Sequence, residues 1–234
     1  MEARGDGMLY CDWTILLLIP GLLLGLWAQA RVKSAYSKYS KVFTQRGLPA
    51  QDVARLMLDS QGAGNINITS TQGELTDHFD PATDTLRLSQ GVYGSSSVAA
   101  VGIAAHEAGH ALQKQDGYAL LNLRTVMVPT VNIGSRLAWP IFVVGMISSW
   151  RPLMYVGIGL FALAVLLSLI TLPVEFDASR RAKLMLTDSG YFTQEEMQGV
   201  SAVLNAAALT YVASFLSALL SLLRLLLLSQ RRRR

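Results

Sequence analysis

From Trp13 to Ala30 the chain carries no charged residue. A run of that length is just enough to cross the hydrocarbon core of a bilayer as a helix. Trp13 and Trp27 stand near its ends, where indole rings anchor a span at the interface. A signal peptide is the competing reading, but the start is acidic and Arg-poor and offers no convincing cleavage site. Two further spans are expected within residues 126–173, at about 137–150 and 153–172, the first beginning earlier, within 128–134. The tight Ser149-Trp150-Arg151-Pro152 turn joins them, and Pro173 marks the exit. A last apolar block, about 209–228, is interrupted by Arg224 and ends in Arg231 to Arg234. Composition agrees: 51% of residues are hydrophobic and 15% charged, against about 25% charged in ordinary soluble domains. There is no basic stripe interleaved with aromatics, so nucleic acid is excluded as a partner. The lipid bilayer is the expected one.

The chemistry is concentrated at residues 106–110, His-Glu-Ala-Gly-His. On a helix, residues four apart share a face. His106 and His110 then aim two imidazoles at one point, the beginning of a tetrahedral zinc site. Glu107 stands beside that point, where a carboxylate can take a proton from a water activated by the metal. The preceding run of small apolar residues predicts a buried helix over about 97–114, with N-cap candidates in Ser95-Ser96-Ser97. Gly109 costs about 1 kcal/mol of helix propensity relative to Ala, which implies that something packs closely there. The alternative is a helix with two incidental core histidines.

Around this helix the soluble residues read as small elements. Residues 49–60 form an amphipathic helix with Pro49 in its first turn and Gly62 past its end. Residues 66–69 alternate like a strand. Residues 74–79 and 85–89 flank an Asp-Pro-Ala-Thr-Asp turn, as a hairpin requires. Thr193-Gln194-Glu195-Glu196 is a capping box that opens a further helix. The expected fold is an α-helical polytopic membrane protein with a small α+β, zincin-like catalytic portion, its motif helix preceded by a β-hairpin. The chain divides into a tail 1–12, a first span 13–30, a soluble catalytic portion 31–125, a transmembrane hairpin 126–173, a third-ligand segment and helix 174–206, and a hydrophobic helix with basic tail 207–234.

A catalytic zinc uses three protein ligands and leaves one position for water. The single cysteine, Cys11, rules out a Cys-based site. The third ligand must lie on the same side of the membrane as the histidines. The hairpin brings the chain back there, and the first acid after the return is Glu175. Asp177 is the second choice; both acids also suit the first turn of a helix for dipole reasons alone. His78 is either a substrate-orienting group or a surface histidine. Asn205 and Tyr211 are either donors to a tetrahedral intermediate or helix-packing polar groups. Arg180 and Arg181 are assigned to the lipid headgroups.

Several stretches resemble the YugP-type membrane zinc metallopeptidases, a bacterial family of neutral zinc proteases. They are Leu-Leu-Leu-Ile-Pro-Gly at 16–21, Leu-Thr-Asp-His-Phe-Asp-Pro at 75–81, Ala-Ala-His-Glu-Ala-Gly-His at 104–110, Leu-Pro-Val-Glu-Phe-Asp-Ala-Ser-Arg-Arg-Ala at 172–182 and Leu-Asn-Ala-Ala-Ala-Leu-Thr-Tyr-Val-Ala at 204–213. A more distant likeness is to the HtpX and CAAX-prenyl membrane proteases, which are gluzincins. They carry the third ligand in a Glu-x-x-x-Asp stretch after a membrane hairpin. That match implies Glu175 as ligand and an Asp at position 179, where this chain has Ser179. The histidine-supporting role then falls to Asp177 or another acid.

The resemblance and the motif together imply a zinc endopeptidase of the bacterial inner (plasma) membrane, multi-pass, with one Zn2+ per chain held by His106, His110 and Glu175. The substrate is expected to be a polypeptide, a membrane protein or a segment near the bilayer, added as a strand along 74–79 or 85–89. A membrane scaffold or chaperone-like partner with a structural zinc is the alternative. Arg31, Lys33, Lys38 and Lys41 after the first span, and Arg180, Arg181 and Lys183 after the third, put the catalytic portion in the cytoplasm. Arg231 to Arg234 oppose this, since four spans place them outside. Either the tail is translocated or the last block does not cross fully.

Overall fold

The computed structural model describes residues 13–231. The tail 1–12, with Cys11, and Arg232 to Arg234 lie outside the described residues. Among the described residues, four helices are long and apolar enough to cross a membrane, and a small sheet accompanies them. A 3-10 turn, Trp13–Leu18, leads into α1 (Ile19–Tyr39), which has Pro20 in its first turn, where a missing N–H costs nothing. The helix does not stop with its apolar block. It runs on through Arg31, Lys33 and Lys38, so one rod links the span to the soluble portion.

Helix α2 (Ala50–Ser60) has Pro49 at its N-cap and buries Val53, Ala54, Met57 and Leu58 on one face, while Leu56 is left exposed. Gly62 follows at φ 73, a left-handed turn that frees the chain from the helix. Three strands come next: β1 (Asn67–Thr71), β2 (His78–Asp80) and β3 (Thr85–Ser89). β2 and β3 are the expected antiparallel pair, but the strand begins only at His78. Asp80 builds the turn, accepting from Ala82 N–H at 2.9 Å and Thr83 Oγ1 at 2.7 Å. β1 pairs in parallel with β3, Ile68 opposite Leu86, which makes the order β1-β3-β2. β3 is therefore central and offers no edge, so strand addition along 85–89 is corrected. A short α3 (Gln90–Tyr93) leads to α4 (Val98–Gln115), whose N-cap Ser97 accepts from Ala100 N–H at 3.2 Å. α4 is buried on nearly every side, in a core built with α2, β3, α6 and α7.

α5 (Ala119–Ile147) and α6 (Arg151–Asp188) form the hairpin. They approach backbone to backbone: a Cβ on Gly157 would stand 2.7 Å from Ala138 O, and one on Gly145 2.7 Å from Met154 N. α6 continues through Pro173 without a break. Pro173 removes one helical hydrogen bond. Burial of Val174, Glu175 and Ala178 against α4 holds the helix together just beyond it. α7 (Gln194–Arg231) opens with the capping box: Glu196 N–H donates to Thr193 Oγ1 at 3.2 Å, and Thr193 N–H to Glu196 Oε2 at 2.7 Å. It then runs as one helix through the last apolar block, packed along α1. Leu22, Val126, Ile133 and Ile147 leave more than half of their surface uncovered, as lipid-facing side chains do.

Candidate metal centre

α4 presents His106 and His110 one turn apart, their rings edge to face with centroids 4.8 Å apart. α6 crosses them and inserts Glu175, which is almost wholly buried. Glu175 Oε2 lies 3.2 Å from His106 Nε2 and 3.6 Å from His110 Nε2. One ligand atom from each of the three residues falls within 4.8 Å of the others. This closeness depends on Gly109. A Cβ there would meet Ala178 O at 2.6 Å, so the motif helix touches the backbone of α6 at the level of the site. That contact is the close packing implied by a glycine in mid-helix.

The outer nitrogens are also accounted for. Gln113, fully buried, places Oε1 2.9 Å from His110 Nδ1. Its Nε2 donates to Val174 O at 2.8 Å and to Asp177 Oδ2 at 3.0 Å. Both amide hydrogens are spent on acceptors, so Oε1 can only accept. His110 must then carry its proton on Nδ1, which leaves Nε2 free as a ligand. His106 Nδ1 lies 3.1 Å from Ser179 Oγ. Arg124, from α5, donates to Glu175 Oε1 at 2.7 Å and leaves Oε2 to face the histidines. Two imidazole nitrogens with fixed outer partners, one carboxylate oxygen and burial match the donor chemistry of a zinc site. Burial opposes charge on His110, but its hydrogen bond to Glu175 and the negative charge of Glu107 and Glu175 outweigh that and raise its proton affinity. The same negative charge favours a cation there.

Glu107 does not join the ligand atoms. Its Oε2 accepts from Phe79 N–H of the edge strand β2 at 3.0 Å. A cleft of about 310 Å³ opens beside it, lined by His106, Glu107, Glu175, Asp77 and Tyr211 among others. Burial raises the proton affinity of Asp77, opposed by its hydrogen bonds from Ser89 N–H and Oγ at 2.7 and 3.0 Å.

Two expected site residues are not brought in. His78 is exposed, with Nδ1 2.8 Å from Thr76 O, and does not line the cleft. Strand alternation explains this: Phe79 faces the core, so its neighbour faces out. Asn205 is exposed on α7, while its neighbours Leu204 and Ala206 are buried. Asp177 stands outside the ligand group, tied to Gln113 and to Arg180 and Arg181. Arg180 and Arg181 both pair with Asp177, at 2.5 and 2.7 Å, and Arg181 also pairs with Asp116. Sequence reasoning missed Gln113 and Arg124. Gln113 had a local signal, lying three residues beyond His110 and seven beyond His106 on one helix face. Arg124 had none, since 51 residues separate it from Glu175.

Residues 14–230 match a protein family described as "putative neutral zinc metallopeptidase". The "Putative membrane protease YugP" of Bacillus subtilis (strain 168) is 45% identical over 214 residues, which is 92% of this chain and 95% of that protein. No solved structure matches. With near full-length agreement to both, the chain belongs to this family of zinc metallopeptidases.

Proposed function

We propose that the protein is a membrane-embedded zinc endopeptidase of the gluzincin kind, with one zinc ion held by His106, His110 and Glu175. The observation that carries this reading is the convergence of those three donors, from two helices, beside a cleft lined by His106, Glu107 and Glu175. When bound, zinc supplies a Lewis acid that polarises the scissile carbonyl and acidifies water at its open position. Glu107 takes the proton of the attacking water and delivers it to the leaving amine. Phe79 N–H holds the Glu107 carboxylate in place. Gln113 and Ser179 orient the two imidazoles, and Arg124 orients Glu175. Tyr211 lines the cleft, and its hydroxyl is the donor assigned to a developing oxyanion. β2 offers the sheet edge along which a substrate strand can add.

Cleft-lining residues come from α1 and α7 as well as α4, and α1 and α7 are two of the membrane-length helices. That supports membrane proteins, or segments near the bilayer surface, as substrates. The basic residues after the first and third spans support a cytoplasmic catalytic portion in the plasma membrane. A scaffold with a structural zinc needs a fourth protein ligand. Among the described residues, no further His, Cys, Asp or Glu joins the three.

Purified wild type and Glu107→Gln are compared for zinc content and for cleavage of unfolded and membrane-derived polypeptides. The variant is expected to keep zinc and lose about 100- to 10,000-fold in rate. Equal function of the two in every assay, with no cleavage by wild type in native membranes, sinks the reading.

A further inference from the structure

We infer that the apolar wall of the cleft is a subsite for one bulky aliphatic side chain of the substrate, next to the bond to be cut, and that it rejects an acidic one. The inference rests on the endopeptidase reading. Ile103 lies one turn before His106 and Glu107 on α4, so the wall is continuous with the reacting groups. Facing it, α7 contributes the i, i+4 pairs Val203 with Ala207 and Leu204 with Ala208. The two alanines make the room: the same face carries larger residues a turn earlier and Tyr211 a turn later. The volume, about 310 Å³, is at the lower end of ligand clefts, which run from about 300 to 1,000 Å³. It suits a side chain with its adjoining backbone, not a folded partner.

Charge points the same way. The lining has no lysine or arginine, so a carboxylate seated on the apolar wall would lose its water without gaining a partner there. The rim gives an independent sign. Leu75 sits at the mouth with φ 53, a left-handed conformation unfavourable to any residue with a Cβ, and leaves 44% of its surface exposed. A chain that needed only to turn there would use Gly or Asn. A strained, exposed leucine at the edge of an apolar cleft is explained if it closes over an apolar group.

The test uses the full chain, zinc-loaded in detergent, and peptidyl hydroxamates that differ in one side chain: isobutyl, methyl or carboxymethyl. The hydroxamate binds the metal, so affinity reads the subsite without turnover. The isobutyl compound is expected to bind at least about 10-fold tighter than the other two, since a single methylene in an apolar pocket is worth about 10- to 200-fold. Ala208→Leu, which fills the wall, and Leu75→Gly, which removes the rim and relieves its backbone, should each cut that preference to about threefold or less. Both are scored only with wild-type zinc content, and Leu75→Gly, on a surface loop, serves if the α7 variant does not fold. Equal affinities in wild type, or a preference unchanged in the scored variants, overturns the subsite. Discrimination among hydroxamates without cleavage of any peptide upholds the subsite and removes the endopeptidase reading. Cleavage with no side-chain discrimination does the reverse.

Discussion

Gln113 shows how much of a metal site is decided one layer out. Its amide orientation follows from donor counting alone, and through it the tautomer of His110. Gln113→Leu keeps the volume and removes the acceptor. It is expected to weaken zinc binding about 10- to 100-fold, the usual cost of losing an outer-shell partner. Chelator competition on the purified protein measures it. Gln113→Glu separates the parts played by the two ends of the amide. It keeps an acceptor for His110 but loses the donor to Val174 O and faces Asp177 with like charge. Its zinc affinity should therefore stay below wild type as well; full recovery would mean that only the acceptor matters. At this scale local spacing made His106, Glu107 and His110 legible in the sequence, because four residues on a helix fix their relation. Glu175 was reached through topology. Arg124 and Ser179 were out of reach in their roles, because their partners lie 51 and 73 residues away and only the folded packing of α5 and α6 defines them.

Between elements, the decisive contact is α4 on α6. Gly109→Ala adds one methyl where the nearest atom is a backbone oxygen at 2.6 Å, so no side chain can swing aside. Overpacking of that kind costs about 1–3 kcal/mol. The helices must separate, and the ligands on each side separate with them. The expected result is a lowered melting temperature together with reduced zinc affinity, read by thermal unfolding with and without added zinc. A loss of stability at unchanged affinity would uncouple the contact from the site. Element ends told by chemistry were readable: the Ser97 cap, the capping box at Thr193 and the Asp80 turn each satisfy backbone groups with side chains a few residues away. Two features escaped. The parallel pairing of β1 with β3 spans β2 and leaves no periodic trace. The continuity of α6 across Pro173 is a tertiary effect that overrides the residue's own preference.

At the level of the whole molecule, the number and placement of the membrane-length helices followed from apolar length, while their orientation rests on charge. The backbone adds a constraint: Gln45 N–H donates to Glu196 Oε1 at 2.6 Å, so the segment after α1 and the start of α7 share one side of the membrane. Gln45→Cys and Ser189→Cys, in a Cys11→Ser background, test this in intact cells. Both positions are exposed, so burial will not mask them. Neither is expected to react with an impermeant thiol reagent until the cells are opened. Labelling of both inverts the orientation, and labelling of one alone breaks the hairpin on which Glu175 depends.

α6 is a single rod from Arg151 to Asp188, and Glu175 is fixed to it beyond the span. A lipid-embedded rod answers a change of bilayer thickness by tilting, and a tilt of this one displaces its carboxylate relative to the two imidazoles carried by α4. Lipid chain length thereby becomes a variable of coordination chemistry. In nanodiscs of graded acyl length, zinc affinity should pass through a maximum at the thickness that seats the hairpin. Glu175→Ala, with no ligand left on the lever, should show a flat profile.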